Sequence, residues 1–417
     1  MVSSPSGGIL GGTQVAAALD GVRVIDLTVW FQGPVAAQHL ADFGAEVIKV
    51  ERPHGGDQGR GVRSIKALPV GDWNQYFLVI NRNKKSLALD LKQPAGRQIL
   101  YRLVERSDVF LSNLSVQLLE RWDLGYGKLS AVNPRLVYAT NTGYGHFGEV
   151  TKPSFDMTVQ ALTGIMARLG EPGQPPIYLG MGSGDAYGGL MSALGIMLAL
   201  YHRNRTGRGQ MLDASLYGAQ LFLTAPTLQA YLATGSEKYS KQRSRTAAEN
   251  PLWNMYLAKD KWVFLCLPNN DASWSRLCQS LDDVDLADEP RFDSPEKRRQ
   301  HATALIARLD AAIKQRSAAE WMARWQRRGI TASPIQTLAD LAQDPQAWDN
   351  DYLLETYCEE VHRQVNIRGL PISLSKTPGT VQSLGPELGQ HTEAILTETL
   401  GYSWEQVAAF KEQGVIL

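Results

Sequence analysis

V-R-V-I-D-L-T-V-W-F-Q-G-P-V-A-A-Q-H-L-A-D-F-G-A-E-V-I-K-V-E, residues 22–51, decides the fold. Residues 22–27 are a short apolar run, the pattern of a buried strand. Gly33-Pro34 opens a helix, because proline suits a first turn. Val35, Ala36, Leu40 and Phe43 mark its apolar side, and Gly44 closes it. Residues 46–51 form the next strand. A strand, a helix and a strand at this spacing make a βαβ unit, which predicts a parallel sheet with nucleotide-binding habits. The dinucleotide fingerprint is missing. The loop after the first strand, Thr28-Val29-Trp30-Phe31-Gln32-Gly33-Pro34, has one glycine and two bulky aromatics. No G-K-[ST] phosphate loop occurs either.

The alternation continues outward from this unit. An apolar run at 76–80 leads to the basic stretch Arg82, Lys84, Lys85 and then an alternating strand ending near Lys92. That charge run reads as a solvated face. A helix over 94–106, a strand over 108–113, a short helix over 118–122 and a strand over 136–140 follow. Several strands exit into Gly-, Asn- or Arg-bearing loops, the ligand-facing end of a doubly wound sheet. Arg52, just past the second strand, is there either a phosphate holder or an ordinary loop arginine.

Bulk numbers narrow the class. A chain of 417 residues points to two domains. Lys+Arg and Asp+Glu are equal at 42 each, so no net field draws the chain to nucleic acid or an anionic membrane. An anionic ligand must be met by local cations. Cys266, Cys278 and Cys358 are widely spaced, and no H-x-x-x-H pair occurs. Neither a disulfide framework nor a metal centre is expected, and a cytoplasmic location suits the free thiols. No stretch reads as a membrane span. Residues 1–18 lack the basic start of a signal peptide and read as a flexible tail.

The second informative stretch is 179–189, L-G-M-G-S-G-D-A-Y-G-G. Asp185 stands among five glycines, directly before 190–201, which is apolar on nearly every side and reads as a buried helix. A carboxylate in a glycine-lined bend at a helix head is the layout of a site. It is equally the layout of an N-cap. Gly188 and Gly189 offer backbone N–H groups to an oxyanion, or simply room for close packing. Trp30 and Phe31 are pocket walls or core aromatics.

Beyond this helix come a strand at 211–214 and one long apolar helix over 215–232. Residues 235–250 turn polar and basic, a link into a second domain. That domain has strands at 252–257 and 261–267 and helices near 272–281, 297–314, 318–326 and 338–341. Trp321 and Trp325, four apart, are core. A strand at 365–374 and helices at 390–400 and 403–413 end the chain. The expected domains are a tail (1–18), a large domain (19–232), a small domain with its linker (233–345) and a C-terminal return (346–417).

F-Q-G-P, E-V-I-K-V-E-R, N-R-N-K-K-S-L-A-L-D-L-K, G-D-A-Y-G-G, R-x-R-T-G-R-G-Q and L-G-Q-H-T-E-A-I-L, in this order, resemble the family III CoA-transferases. This is the group of formyl-CoA transferase and carnitine CoA-transferase, to which alpha-methylacyl-CoA racemase is related. The resemblance runs from about residue 19 to the C-terminus. It implies a Rossmann-like large domain, a smaller inserted α+β domain and two ring-like chains interlocked as a homodimer. It implies coenzyme A as a substrate, brought by an acyl-CoA and passed to a free carboxylic acid. The family's nucleophilic aspartate falls on Asp185, against the cap reading. Its CoA contacts fall on Arg52, Leu89, Asp90, Lys92, Asn113 and Arg121, with Gly143 beside them.

Two departures carry meaning. The racemases place a histidine just ahead of an aspartate; here Phe155 precedes Asp156, and phenylalanine carries no proton. Formyl-CoA transferase covers its site with a glycine run; here 247–253 read A-A-E-N-P-L-W. With Trp30, Phe31 and Trp253, this leans toward an acyl group larger than formyl. The chemistry needs no metal, redox cofactor or ATP. A carboxylate attacks the thioester, the thiolate attacks the resulting anhydride, and an aspartyl-CoA thioester passes CoA to the second acid. The rival readings are a racemase, a dehydrogenase and a non-catalytic CoA-binding protein.

Overall fold

A computed structural model describes residues 16–65, 71–148, 150, 152–283 and 285–417. Most of the expected N-terminal tail lies outside the described residues. The chain forms two compact units. The first comprises Met1–Thr163, Leu179–Ala225 and Trp348–Leu417, and the second Gly164–Tyr178 and Pro226–Ala347.

The first unit runs β1 (Arg23–Leu27), α1 (Gln32–Asp42), β2 (Glu46–Glu51), α2 (Gln75–Ile80), β3 (Lys84–Ala88), α3 (Pro94–Val104), β4 (Val109–Ser112), α4 (Val116–Arg121), α5 (Tyr126–Val132), β5 (Val137–Thr140) and α6 (Asp156–Leu162). α7 (Ile165–Arg168) belongs to the second unit. The first unit resumes with α8 (Ser183–Thr206), β6 (Met211–Asp213) and α9 (Leu216–Leu223). Six strands pair in the order β3-β2-β1-β4-β5-β6, every neighbour parallel. The expected α/β architecture is present. Strand order reverses between β1 and β4, which opens a crevice at the carboxyl edge there.

Both faces of the sheet are covered, so its strands are apolar on both sides. Val24, Val47, Val109 and Val137 pack with Ala36 and Leu40 of α1 and Ile196 and Leu200 of α8. Their neighbours Ile25, Ile48, Phe110 and Tyr138 pack on the opposite face with Ile99 and Leu103 of α3.

Several expectations change. The basic stretch is not a solvated face: Arg82 and Lys84 are buried. Arg82 Nη2 lies 2.7 Å from Asp42 Oδ2, and Lys84 Nζ 2.8 Å from Asp26 Oδ2. A buried charge persists only when it is paired in this way. Helix α8 is not buried all round. Small residues, Gly188, Gly189, Ser192 and Ala193, turn inward, while Leu194, Leu198 and Tyr201 are 51%, 61% and 65% exposed. The helix predicted over 215–232 breaks at Thr224 into α9 and α10 (Ala225–Thr234). Pro226 lacks the N–H that a continuous helix would need there. A hairpin of β-strands, Leu353–Cys358 and Arg363–Arg368, adds a strand that periodicity did not reveal.

In the second unit, antiparallel β7 (Trp253–Leu257) and β8 (Trp262–Cys266) support helices including Ala302–Ile313 and Ala318–Gln326. The helix predicted over 297–314 is interrupted at His301, whose backbone (φ −102°, ψ 26°) leaves the helical region. Trp321 and Trp325 stack at 5.1 Å in the core. Trp253 is half exposed on β7.

Candidate active site

Because every strand of the sheet points the same way, the residues just past β1, β2, β3, β4 and β5 share one edge. These are Trp30 and Phe31, then Arg52, Leu89 to Lys92, Asn113 and Gly143. The first turn of α8 joins them, since α8 packs on the start of α1. A Cβ on Gly188 would meet Gln32 Nε2 at 2.8 Å, and one on Gly189 would meet the Gln32 carbonyl at 2.7 Å. Gly182 stands beside Phe31: a Cβ there would lie 3.7 Å from its ring.

The loop after β1 is held by clamps. The Val29 N–H donates to Asn113 Oδ1 at 2.9 Å, and Asn113 Nδ2 donates to the Val29 carbonyl at 2.7 Å. The Trp30 N–H donates to Asp57 Oδ1 at 3.1 Å. Asp57 is itself paired with the buried Lys49 at 2.9 Å. Lys49 Nζ also donates to the Thr28 carbonyl at 2.8 Å. Trp30 has φ +68°, a conformation a bulky side chain rarely adopts and the clamps hold in place. Phe31 tilts against Tyr76 at 5.7 Å.

The expected CoA contacts divide by accessibility. Arg52, Lys92 and Arg121 are exposed. Arg52 Nε donates to the Gly56 carbonyl at 3.0 Å, which orients the guanidinium along its own loop. Asp90 Oδ1 accepts from the Lys92 N–H at 3.0 Å. Leu89 is buried, its N–H donates to the Glu51 carbonyl at 2.7 Å and its backbone bridges to Ile416, so its side chain offers no surface to a ligand. The Asn113 amide is turned to Val29. Gly143 is a close-approach glycine: a Cβ would stand 2.1 Å from Ser154 Oγ.

Asp185 is the third residue of α8 and not its cap; Gly182, with φ +77°, holds that place. The helix starts earlier than its apolar run because Ser183 and Gly184 already take helical geometry. Asp185 is half buried. Burial, together with the neighbouring charge of Asp156, pushes its carboxyl up to about 7. Tyr76 is half-buried too, and its phenol is pushed up by burial and by the charges of Asp185 and Asp57.

Asp156 opens α6 and is buried. Its Oδ1 accepts from Gln160 Nε2 at 3.1 Å and from Gln220 Nε2 at 3.0 Å. Gln160 also holds the loop before α8, donating to the Gly180 carbonyl at 3.0 Å and accepting from the Leu179 N–H at 2.8 Å. A Cβ on Gly184 would sit 2.1 Å from Gln220 Nε2 and 2.2 Å from Asp156 Oδ1. Gly184 is therefore glycine for close approach. Gly188 and Gly189 lie deeper in α8, where an N–H turns to the carbonyl four residues back. Their glycine character serves packing against α1, the alternative to the oxyanion reading.

Asp156, Gln160, Gln220 and Tyr76 did not emerge as site residues from sequence reasoning. Asp156 and Gln160 are four apart, the spacing of helical neighbours, and that signal was available. Gln220 and Tyr76 reach the site only through the tertiary fold.

A doubly wound parallel sheet whose loop after β1 lacks the dinucleotide glycines carries, at its carboxyl edge, a half-buried carboxylate that burial pushes up to about 7. The chain belongs to CoA-transferase family III, whose model matches residues 19–392. It is 32% identical over 408 residues to a succinyl-CoA–D-citramalate CoA-transferase of Chloroflexus aurantiacus, covering 95% of this chain and 98% of that one. It is 31% identical to a formyl-CoA:oxalate CoA-transferase of Rhodopseudomonas palustris, covering 96% and 97%. A crystal structure of a CAIB/BAIF family protein from Brucella suis aligns with TM-score 0.81 and 31% identity, over 92% of this chain and all of that one. The protein is an enzyme of the CoA-transferase class.

Proposed function

We propose that the chain moves CoA from an acyl-CoA to a free carboxylic acid through a covalent aspartyl-CoA thioester on Asp185. The observation that carries this is the place of Asp185: half buried in the first turn of α8, beside a glycine that admits close neighbours, and poorly stabilised as a free anion. The carboxylate attacks the donor thioester, and the thiolate leaves. The thiolate then attacks the Asp185 carbonyl of the anhydride, releasing the first acid and forming the thioester. The second acid attacks that thioester, and CoA resolves the second anhydride. Exposed Arg52, Lys92 and Arg121 meet the phosphates of CoA. Trp30 and Phe31, on the clamped loop, exclude water from the activated intermediates. The acceptor is a dicarboxylic acid, as D-citramalate, mesaconate and oxalate are in the names of the relatives. The working form is a homodimer, supported by the apolar outer side of α8. Phe155, where a racemase would place an acid/base, is exposed and carries no proton.

Incubation with succinyl-CoA, acetyl-CoA and formyl-CoA, each quenched with hydroxylamine and mapped by peptide mass, tests the route. A hydroxamate on Asp185, absent in Asp185→Asn, is expected with at least one donor. CoA exchange into mesaconate, citramalate or oxalate without any Asp185 adduct would overturn it.

A further inference from the structure

Within the first unit, one buried titratable group beside Asp185 has no place in the scheme above: Asp156. Building on the aspartyl-thioester reading, we infer that Asp156 is a positioning residue that holds a fixed negative charge against Asp185 and so drives the enzyme toward its acylated forms. The geometry is specific. Burial raises the Asp156 carboxyl, and two amide donors, Gln160 Nε2 and Gln220 Nε2, converge on its Oδ1 and offset part of that rise. Oδ2 is buried and has no hydrogen-bond partner among the described residues. No cation pairs with Asp156 among them. The carboxylate stands at Gly184, the residue before the nucleophile, so close that no Cβ fits between.

The consequence follows from charge balance. In the free enzyme two carboxylates share a desolvated site, and their repulsion raises the free energy of ionised Asp185. When Asp185 attacks a thioester its negative charge leaves with the thiolate, and the anhydride carbonyl at Asp185 is neutral. The aspartyl-CoA thioester is neutral there as well. Repulsion by Asp156 is thus present before acylation and absent after it, a difference between states rather than uniform binding. Burial raises both carboxyls, but at Asp156 the glutamine amides and the N–H groups of Gly182 and Gly184 oppose the rise, whereas at Asp185 burial and the charge of Asp156 act together and push it up to about 7, so Asp156 ionises first. The other groups packed around Asp185 do not supply this charge. Tyr76 of α2 stays a neutral phenol. Gln32 of α1 and Gln220 of α9 do not titrate. Asp213 of β6 is engaged with Thr140, Thr142 and His146.

Asp156→Asn, with its melting curve checked against the parent, is the test. The rate of hydroxylamine-trapped labelling at Asp185 is followed from pH 5 to 9 with one acyl-CoA. The parent shows an acid limb near 7. In Asp156→Asn the limb moves to lower pH, the high-pH plateau of labelled enzyme falls about fivefold or more, and the two profiles approach or cross at low pH. A merely structural defect lowers labelling at every pH and leaves the limb in place, and that result in a folded variant overturns the inference. A reciprocal measurement does not depend on that variant. In Asp185→Asn the Asp156 carboxyl, followed by carbon-13 NMR, keeps the parent midpoint, because it ionises while Asp185 still holds its proton; an Asp156 midpoint above that of Asp185 in the parent sinks the inference. A parent enzyme with no label on Asp185 would fail the thioester reading itself, a separate outcome.

Discussion

Asp185 is a group whose folded environment opposes its charge, and this has a signed consequence for stability. Its carboxyl is raised from an ordinary 3.8 to about 7, mainly by burial and then by Asp156. Between those values the folded chain holds a proton that the unfolded chain has released, so its contribution to stability falls as pH rises toward 7 and stays low above it. Asp185→Asn removes the penalty. The variant should melt higher than the parent at pH 8 and close to it at pH 4, in matched calorimetric scans; equal melting at both would show that the charge is not strained. Gly184 carries the opposite kind of constraint. Alanine there would press on Gln220 and Asp156 at about 2 Å. Gly184→Ala should lose ~1–3 kcal/mol of stability through overpacking. It should also lose activity on the order of 100-fold, because Asp185 is displaced. Melting temperature and steady-state rate check the two effects.

At the scale of elements, legibility followed distance along the chain. β1, α1 and β2 could be read from 22–51 because apolar period, Gly33-Pro34 and Gly44 are local signals. The candidate site was half legible: Asp185 stood out among its glycines, and the strand exits were placed by the βαβ rhythm. What could not be read depends on partners far away in sequence. Arg82 looked solvated because Asp42, 40 residues earlier, is brought to it only by the sheet. Its guanidinium donates to both Asp42 oxygens and to the carbonyls of Arg368 and Gly369. α8 looked buried because its outer face is as apolar as its inner one, and periodicity cannot distinguish the two. The Arg82 pair ties α1, the start of β3 and the strand ending at Arg368 together. Arg82→Met, which strands a buried carboxylate, should cost ~3–5 kcal/mol, read as a drop in urea midpoint. A shift under ~1 kcal/mol would mean that Asp42 finds water.

At the scale of the whole molecule, the exposed apolar face of α8 supports the homodimer proposed above. Leu190, Leu194, Leu198 and Tyr201 recur at helical spacing along one side, with Phe222 of α9 exposed as well. A monomer leaving such a stripe in water forfeits the stabilisation that burial supplies, about 25 cal/mol per Å² of apolar surface. A second copy of the chain covers it in the homodimer proposed above. Light scattering should give twice the 46.0 kDa of one chain. The interlock implied by the resemblance makes a stricter demand. Ordinary dimers dissociate on dilution by mass action, whereas linked rings separate only when a chain unfolds. The dimer should therefore survive dilution to nanomolar concentration, and mixed labelled and unlabelled protein should exchange subunits only after denaturation. Leu194→Lys with Leu198→Lys should hinder assembly on refolding and leave soluble monomer or aggregate. A monomeric mass for the parent, or rapid subunit exchange in native buffer, would remove the interlock and require another cover for α8.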